Sequence, residues 1–310
     1  MEDELVAWLR QHLPAHRDQS VPIGDDAAVL HWGTGPGCVV MVDVVMDGVD
    51  FELAEVAASR VGHKALAVNL SDLAAMAARP RAAVVALVLP RHGGAELARE
   101  LYAGMIPLAE RYDVALAGGD INSWDGRLVV SVTAIGQETA RGPLRRSGAR
   151  PGDWIVVTGS LGGSRLAKHL DFEPRVNEAL LLHERYALHA GIDISDGLTL
   201  DLARLCEASG CGSVIDLASV PIDPAAGQWA RQLADGSTAL DHALSDGEDF
   251  ELVLTLPADE AARLVADQPL EIPVTRIGEI VAERGLWQRD ATGIVTPLVP
   301  RGFQHELDKP

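Results

Sequence analysis

The sequence predicts two α+β lobes, and three observations lead there. The chain has 310 residues, enough for two domains that each bury most of their apolar surface. Strand-like apolar runs and helical periodicities alternate along it, without the even strand–helix rhythm of a doubly wound sheet. A polar connector containing glycine and proline, RRSGARPGD (145–153), interrupts them midway, and the division placed there gives lobes at 1–145 and 146–310.

The elements follow in order. MEDELVAWLRQHL is an amphipathic N-terminal helix, and GDDAAVL (24–30) leads through a turn-rich stretch, His31 to Gly37, into CVVMVDVVM (38–46). That run reads as a buried strand with Asp43 at its centre. From Phe51 to about Val68, the spacing of Leu53, Val56, Ala57, Val61 and Leu66 is helical, and a second short helix is expected to begin near Ser71. A strand at 82–89, a helix striped by Leu97, Leu101, Met105 and Leu108, and strands near 113–117 and 128–136 close the first lobe. The second opens with the strand WIVVTG (154–159), then a helical region (164–189), the turn GIDISDG (191–197) and a helix from Leu198 to Ala208. A strand at 213–217, a helix near 224–234, the strand ELVLTL (251–256) and a strand and turn ending near Arg301 complete it.

Composition excludes several classes. A net charge of −19 offers no basic footprint for nucleic acid or an anionic membrane, and no stretch of about eighteen uncharged apolar residues offers a membrane span. The acidic N-terminus is unlike a secretory signal, so a cytoplasmic protein is expected. Cys38, Cys206 and Cys211 form no paired framework and no Cys-x-x-Cys, which argues against a disulfide scaffold or a structural zinc. With Lys64, Lys168 and Lys309 as its only lysines the chain has no P-loop, and GTGPG (33–37) lacks the dinucleotide-binding spacing.

Solubility explains most of the acids but not all. Asp43 lies among Val42, Val44 and Val45, where an ionised carboxylate would cost several kcal/mol to bury unless paired or coordinated. Asp193 and Asp196 flank Ser195 in a strand-to-helix turn whose following helix aims its N-terminus at whatever they bind. The others have ordinary readings when taken singly. Asp26 can cap a turn, Asp120 can be a turn residue after Gly118-Gly119, and Asp72 suits the first turn of a helix after Ser71, where the macrodipole favours a negative charge. Jointly they fit Mg²⁺, which takes one or two carboxylates per ion with water and phosphate completing the octahedron. Several ions need several aspartates from different loops, as phosphoryl transfer between two anionic ligands would require.

GDDAAVL (24–30), ALAVNLSDLAAMAARP (65–80), ALAGGD (115–120), RSGARPGDWIVVTG (146–159), GIDISDGLTLDL (191–202) and GEDFELVLTLP (247–257) together resemble bacterial thiamine-monophosphate kinase. That family belongs to the aminoimidazole ribonucleotide synthetase-like superfamily. The likeness runs in order over nearly the whole chain, with NLSDLAAMAA its most specific block. It implies a two-lobed fold, the N-terminal lobe binding ATP and Mg²⁺ and pairing across a homodimer in a barrel-like interface, and a C-terminal α/β lobe completing the phosphate and substrate site. It also implies Mg²⁺ ligands at Asp26, Asp43, Asp72, Asp120, Asp193 and Asp196, and ATP contacts at Tyr102, Gly119, Asp120, Arg146 and Ser195. Contacts to the thiamine moiety are implied at Glu248 and Phe303, and at the position of Asp50.

Residue chemistry agrees in part. Arg146 offers a planar fork of donors for phosphate, and Glu248 could complement a cationic thiazolium or be a solvated turn residue. Without the resemblance Tyr102 suits the core as well as it suits adenine packing, and Phe303 is more often a core side chain than a ligand contact. The chain departs from the family pattern at Met41-Val42, where a Ser/Thr pair is usual, at Asp50, where a histidine is usual, and at Asp246, where a glycine is usual. The expected reaction is direct in-line transfer of the ATP γ-phosphoryl to thiamine monophosphate. The alternatives are a paralogous ATP-using enzyme with another small acceptor and a non-catalytic nucleotide- or cation-binding protein.

Overall fold

A computed structural model describes residues 2–305 with the exception of Ala15, Pro22 and Ala167. The first lobe runs α1 (Glu2–His12), β1 (Gln19–Val21), β2 (Ala28–Leu30), β3 (Cys38–Met46), α2 (Ala58–Ala75), β4 (Arg79–Pro90), α3 (Gly94–Arg111), β5 (Ala115–Trp124) and β6 (Val129–Gln137). The second runs β7 (Trp154–Thr158), α4 (Val176–Arg185), β8 (Ala190–Asp193), α5 (Leu198–Ser209), β9 (Gly212–Asp216), α6 (Pro224–Leu233), α7 (Ala239–Ser245), β10 (Leu252–Leu256), α8 (Ala258–Asp267), β11 (Val274–Val281), β12 (Gly285–Arg289) and β13 (Val295–Pro297).

Each lobe holds one sheet. In the first, the order is β1-β2-β3-β6-β4-β5, antiparallel except where β5 joins β4. In the second, the order is β13-β12-β9-β11-β7-β10-β8, and only β12 and β9 run parallel. The C-terminal lobe is therefore α+β and not the α/β lobe expected, since its strand pairings are antiparallel except for one. Neither sheet closes on itself, so no barrel forms within the chain among the described residues.

Helix α2 joins the lobes. Nearly every residue from Lys64 to Ala75 is buried, because the helix packs on β3, β6 and α3 of its own lobe and on α4 and β8 of the other. A helix enclosed on all sides reads as continuously apolar, as ALAVNLSDLAAM does. The approach to α3 depends on two glycines. A Cβ on Gly62 would stand 1.9 Å from the Leu101 carbonyl oxygen, and one on Gly104 would stand 1.7 Å from that of Ser59. One apolar core consequently crosses the junction, including Leu66, Leu70 and Leu73 of α2, Leu182 of α4 and the stacked rings of Phe172 and Phe250, 3.9 Å apart.

Four element expectations change. The two helices expected around 51–75 are one, starting at Ala58: Gly48 and Phe51 close a turn through Gly48 N–H and the Phe51 carbonyl, 2.7 Å, and the Ser71 hydroxyl bonds elsewhere instead of capping a new helix. The strand expected at 113–117 extends to Trp124, which places Gly118, Gly119 and Asp120 inside β5 instead of in a turn. The region 164–189 holds a 3-10 turn (164–166) and only then α4, because Pro174 bars helical geometry at Glu173. Finally, β3 is buried on one face only. Val39, Met41 and Val45 are covered, whereas Val42 and Val44 are 58% and 50% exposed, so Asp43 shares the covered face and not the open one.

Candidate active site

The junction brings aspartates from distant segments together. Asp26 arrives on the loop before β2, Asp72 on the last turn of α2 and Asp193 at the end of β8, and each offers a carboxylate oxygen within 4.8 Å of the others. Asp72 thus sits at the C-terminal end of its helix, where the macrodipole disfavours a negative charge. The expected ordinary reading for it fails. Asp193 is fixed by the Ser71 hydroxyl, which donates to Oδ2 at 2.5 Å, and Asp26 by Arg146, whose Nη2 donates to Oδ1 at 2.6 Å. The opposite oxygens, Asp26 Oδ2 and Asp193 Oδ1, are buried without a hydrogen-bond partner among the described residues. Buried acceptors left unpaired beside a third carboxylate are a donor set suited to a hard divalent cation.

The electrostatics point the same way. Burial first, then the charges of Asp43, Asp193 and Asp26, push the Asp72 carboxyl well above its ordinary range. Burial and the charge of Asp26 do the same to Asp193, against the hydrogen bond from Ser71. Asp43 is pushed up to about 6 by burial and by Asp50 and Asp196. Asp25, whose Oδ1 accepts the Arg146 backbone N–H at 3.0 Å, rises to about 6 through burial and Asp26. Such mutual repulsion in a dry site is relieved by a bound cation.

From this cluster a cavity of about 840 Å³ opens between the lobes. Asp43, Asp50, Asp72, Asp193, Ser195, Asp196, Glu248 and Phe303 line it. Asp196 sits at the head of α5, where Arg204 pairs with it and Asp201 accepts the N–H groups of Asp196 and Gly197 at 2.9 and 3.0 Å. At the other end Glu248 receives Lys64 on one oxygen and has His169 Nδ1 3.1 Å from the second. Phe303 is half exposed at the rim, its N–H donating to the Asp196 carbonyl at 2.9 Å. Asp246 also lines the cavity but is occupied: His242 Nδ1 lies 2.9 Å from one of its oxygens, and the Gly163 N–H reaches it at 3.4 Å.

Five expected site residues do not line the cavity: Asp26 and Arg146, paired in the adjoining cluster, and Tyr102, Gly119 and Asp120. Tyr102 packs against the first-lobe core, while Gly119 and Asp120 are exposed on β5, Asp120 opposite Ala86 of β4. Other cavity residues were not anticipated, among them Lys64, His169, Arg165 and Trp229. Lys64 alone left a signal, a lysine inside the apolar run VGHKALAVNL where nothing in the local pattern calls for charge.

Comparison with known proteins places this geometry. The profile of the AIR synthase related protein N-terminal domain matches residues 24–137, and that of the C-terminal domain matches 150–287. The chain is 44% identical to the thiamine-monophosphate kinase of Rhodopirellula baltica over 98% of its own length and 97% of the relative's. It belongs to the thiamine-monophosphate kinase family. Among solved members, the kinase of Stenotrophomonas maltophilia is 35% identical and superposes with a TM-score of 0.73 over 92% of this chain and 94% of that one. A structure described as AaThiL complexed with AMPPCP and TMP superposes with a TM-score of 0.84, at 26% identity, over 98% of this chain and 97% of that one. Thiamine-monophosphate kinases thus share the fold across both lobes. Among the described residues no helix is long and apolar enough to cross a membrane.

Proposed function

We propose that this chain is an ATP-dependent thiamine-phosphate kinase that converts thiamine monophosphate to thiamine diphosphate by direct in-line transfer, acting in the cytoplasm. The observation that carries the reading is the convergence of Asp26, Asp72 and Asp193, with two buried oxygens unpaired among the described residues, beside a cavity that Asp72 and Asp193 line and whose far end holds a fixed carboxylate. One end suits a polyphosphate with its cations, and the other a cationic ring. Likeness to a protein bound to AMPPCP, a non-transferable ATP analogue, and TMP supports the same pair of ligands here.

Asp26, Asp72 and Asp193 would hold Mg²⁺, with Asp43 and Asp196 completing the set around the cavity. Bound there, Mg²⁺ supplies neutralisation of the phosphate charge. Arg146 brings its positive charge to the phosphate end while its Nε and Nη2 hold Asp26, Ser195 presents its hydroxyl at the head of α5, and Glu248, Asp50 and Phe303 frame the thiamine moiety. The acceptor phosphate is itself a competent nucleophile, so the protein positions and neutralises and needs no strong base. A different acceptor or a non-catalytic role is not favoured by a likeness that covers both lobes of known kinases.

Tyr102, Gly119 and Asp120 serve the nucleotide in a homodimer on this reading. The open face of the first sheet carries Val42, Val44, Met46 and Val84, with Ile121 68% exposed at the β5 edge. An apolar sheet face of this kind calls for cover, and a second copy pairing face to face would make the barrel-like interface and bring β5 to the site. Lobe 1–145 then carries ATP, Mg²⁺ and the dimer contact, and lobe 146–310 the rest of the site. The test is to mix purified protein, ATP, Mg²⁺ and thiamine monophosphate and separate the thiamine esters by chromatography. Thiamine diphosphate is expected; ATP hydrolysis with no diphosphate ester would sink the acceptor assignment.

A further inference from the structure

Lys64 is the least expected charge in the molecule. It lies in the buried stretch of α2 with 1% of its surface exposed. Its Nζ donates to the backbone carbonyl of Asp50 at 3.0 Å, in the turn after β3, and to Oε1 of Glu248, in the loop before β10. The first partner belongs to one lobe and the second to the other, and both border the cavity. A lysine enclosed in apolar surroundings is costly unless paired, so its place here is set by the groups it joins.

Glu248 is fixed from every side. His169 Nδ1 stands 3.1 Å from Oε2, and since an ionised carboxylate only accepts, that nitrogen carries the proton. The Glu248 N–H donates to the Ser195 carbonyl at 2.7 Å. Its backbone has φ of 66°, and Phe250 two residues on has φ of 50°, a left-handed geometry that non-glycine residues hold only where neighbours enforce it. Released from Lys64, the carboxylate would have one side-chain partner left and an open cavity to swing into.

We propose that Lys64 is a positioning residue for the acceptor: by joining Glu248 to the turn that carries Asp50, it fixes a carboxylate where the acceptor ring lies and makes the site select a cationic ring over a neutral one of the same shape. The proposal rests on the reading that Glu248 faces the thiazolium. Two carboxylates against one ammonium leave this wall net negative, and a carboxylate held in place needs no reorganisation when the cation arrives.

The test is steady-state kinetics of the full chain with thiamine monophosphate and with the phosphate ester of its thiophene analogue, whose ring is neutral. Wild type is expected to prefer the cationic acceptor in kcat/KM. Lys64→Met is expected to raise KM for thiamine monophosphate about tenfold, to shrink that preference, and to leave KM for ATP within about twofold. A merely structural loss would not separate the two substrates. In the Glu248→Gln background, Lys64→Met should add nothing, because the residue acts through Glu248. If Glu248→Gln keeps the wild-type preference, the thiazolium reading itself fails. If Glu248→Gln loses the preference while Lys64→Met retains both it and the wild-type KM, the positioning role is overturned and the thiazolium reading stands. Should Lys64→Met not fold, Lys64→Arg, which keeps the charge but displaces the donor, is read the same way: reduced preference supports the proposal, and wild-type preference overturns it.

Discussion

Replacing Arg146 by alanine should destabilise the metal-free protein and do so through Asp26. The Asp26 side chain is fully enclosed, and the guanidinium that pairs with it is 19% exposed. Removing one partner of a buried ion pair costs about 3–5 kcal/mol, and partial exposure of the arginine puts the loss near ~3 kcal/mol. For 310 residues, unfolding entropy of roughly 2.1 cal/mol/K per residue gives about 0.65 kcal/mol/K, so the midpoint should fall by about 5 °C. Thermal unfolding followed by circular dichroism in the presence of a chelator measures it. Asp26→Asn in the same chain should recover more than half of the loss, because the stranded charge is gone. Saturating Mg²⁺ should narrow the gap between variant and wild type, since in wild type the cation must share Asp26 with Arg146 and in the variant it need not. A midpoint in chelator within about 1 °C of wild type, or no recovery on removing the Asp26 charge, would refute the reasoning that this pair is what keeps the cluster together without metal.

Asp193→Asn is expected to lower kcat by about a hundredfold or more while leaving the chelator-treated fold no less stable, because it removes a charge that Asp26 and Asp72 repel; kinetics and unfolding on the same sample check both halves. Metal-free stability should fall as pH rises from about 4 to 7. Asp25 and Asp43 at about 6, and Asp201 and Asp249 at about 7, keep protons in the folded chain that the unfolded chain has released, so what they contribute below pH 4 is lost through that window. Denaturant titrations at stepped pH would show it, and a flat profile would contradict these environments. Asp246→Gly should cost about 1–2 kcal/mol by stranding His242, yet leave KM for thiamine monophosphate near wild type, because the carboxylate already serves His242 and Gly163.

Legibility in the sequence followed the length scale of the cause. The strand at 38–46 and the helix at Leu198 were readable because period and turn chemistry are local, and Asp43 stood out because a charge inside a valine run is a local contradiction. The break expected before Ser71 was a misreading with a tertiary cause: the hydroxyl that resembled a helix cap bonds Asp193, 122 residues away. The extension of β5 through Gly118-Gly119-Asp120 was hidden for the same reason, since it is pairing with β4 that makes those residues a strand. Lys64, His169 and Trp229 could not be assigned to a site from sequence, because each acquires its meaning from a partner or a cavity that only the docking of the two lobes creates.

That docking also explains how so acidic a site tolerates being assembled. Asp72 and Asp193 sit on elements already committed to the core, α2 enclosed by both sheets' neighbours and β8 buried along its whole length, so moving them apart would open apolar packing. Burial of the surrounding leucines and alanines is worth about 25 cal/mol per Å², and it is this term that can offset several kcal/mol of carboxylate repulsion. Arginine neutralises the cluster only in part: Arg146 bonds Asp26 and its charge also eases Asp72 and Asp193, Arg204 pairs with Asp196, and Asp26 Oδ2 and Asp193 Oδ1 have no hydrogen-bond partner among the described residues. A cluster neutralised throughout by arginine would be more stable and would have nothing left to offer a cation. One arginine shared among three carboxylates, with two of their oxygens left unpaired, is therefore the feature that keeps the site able to bind a cation.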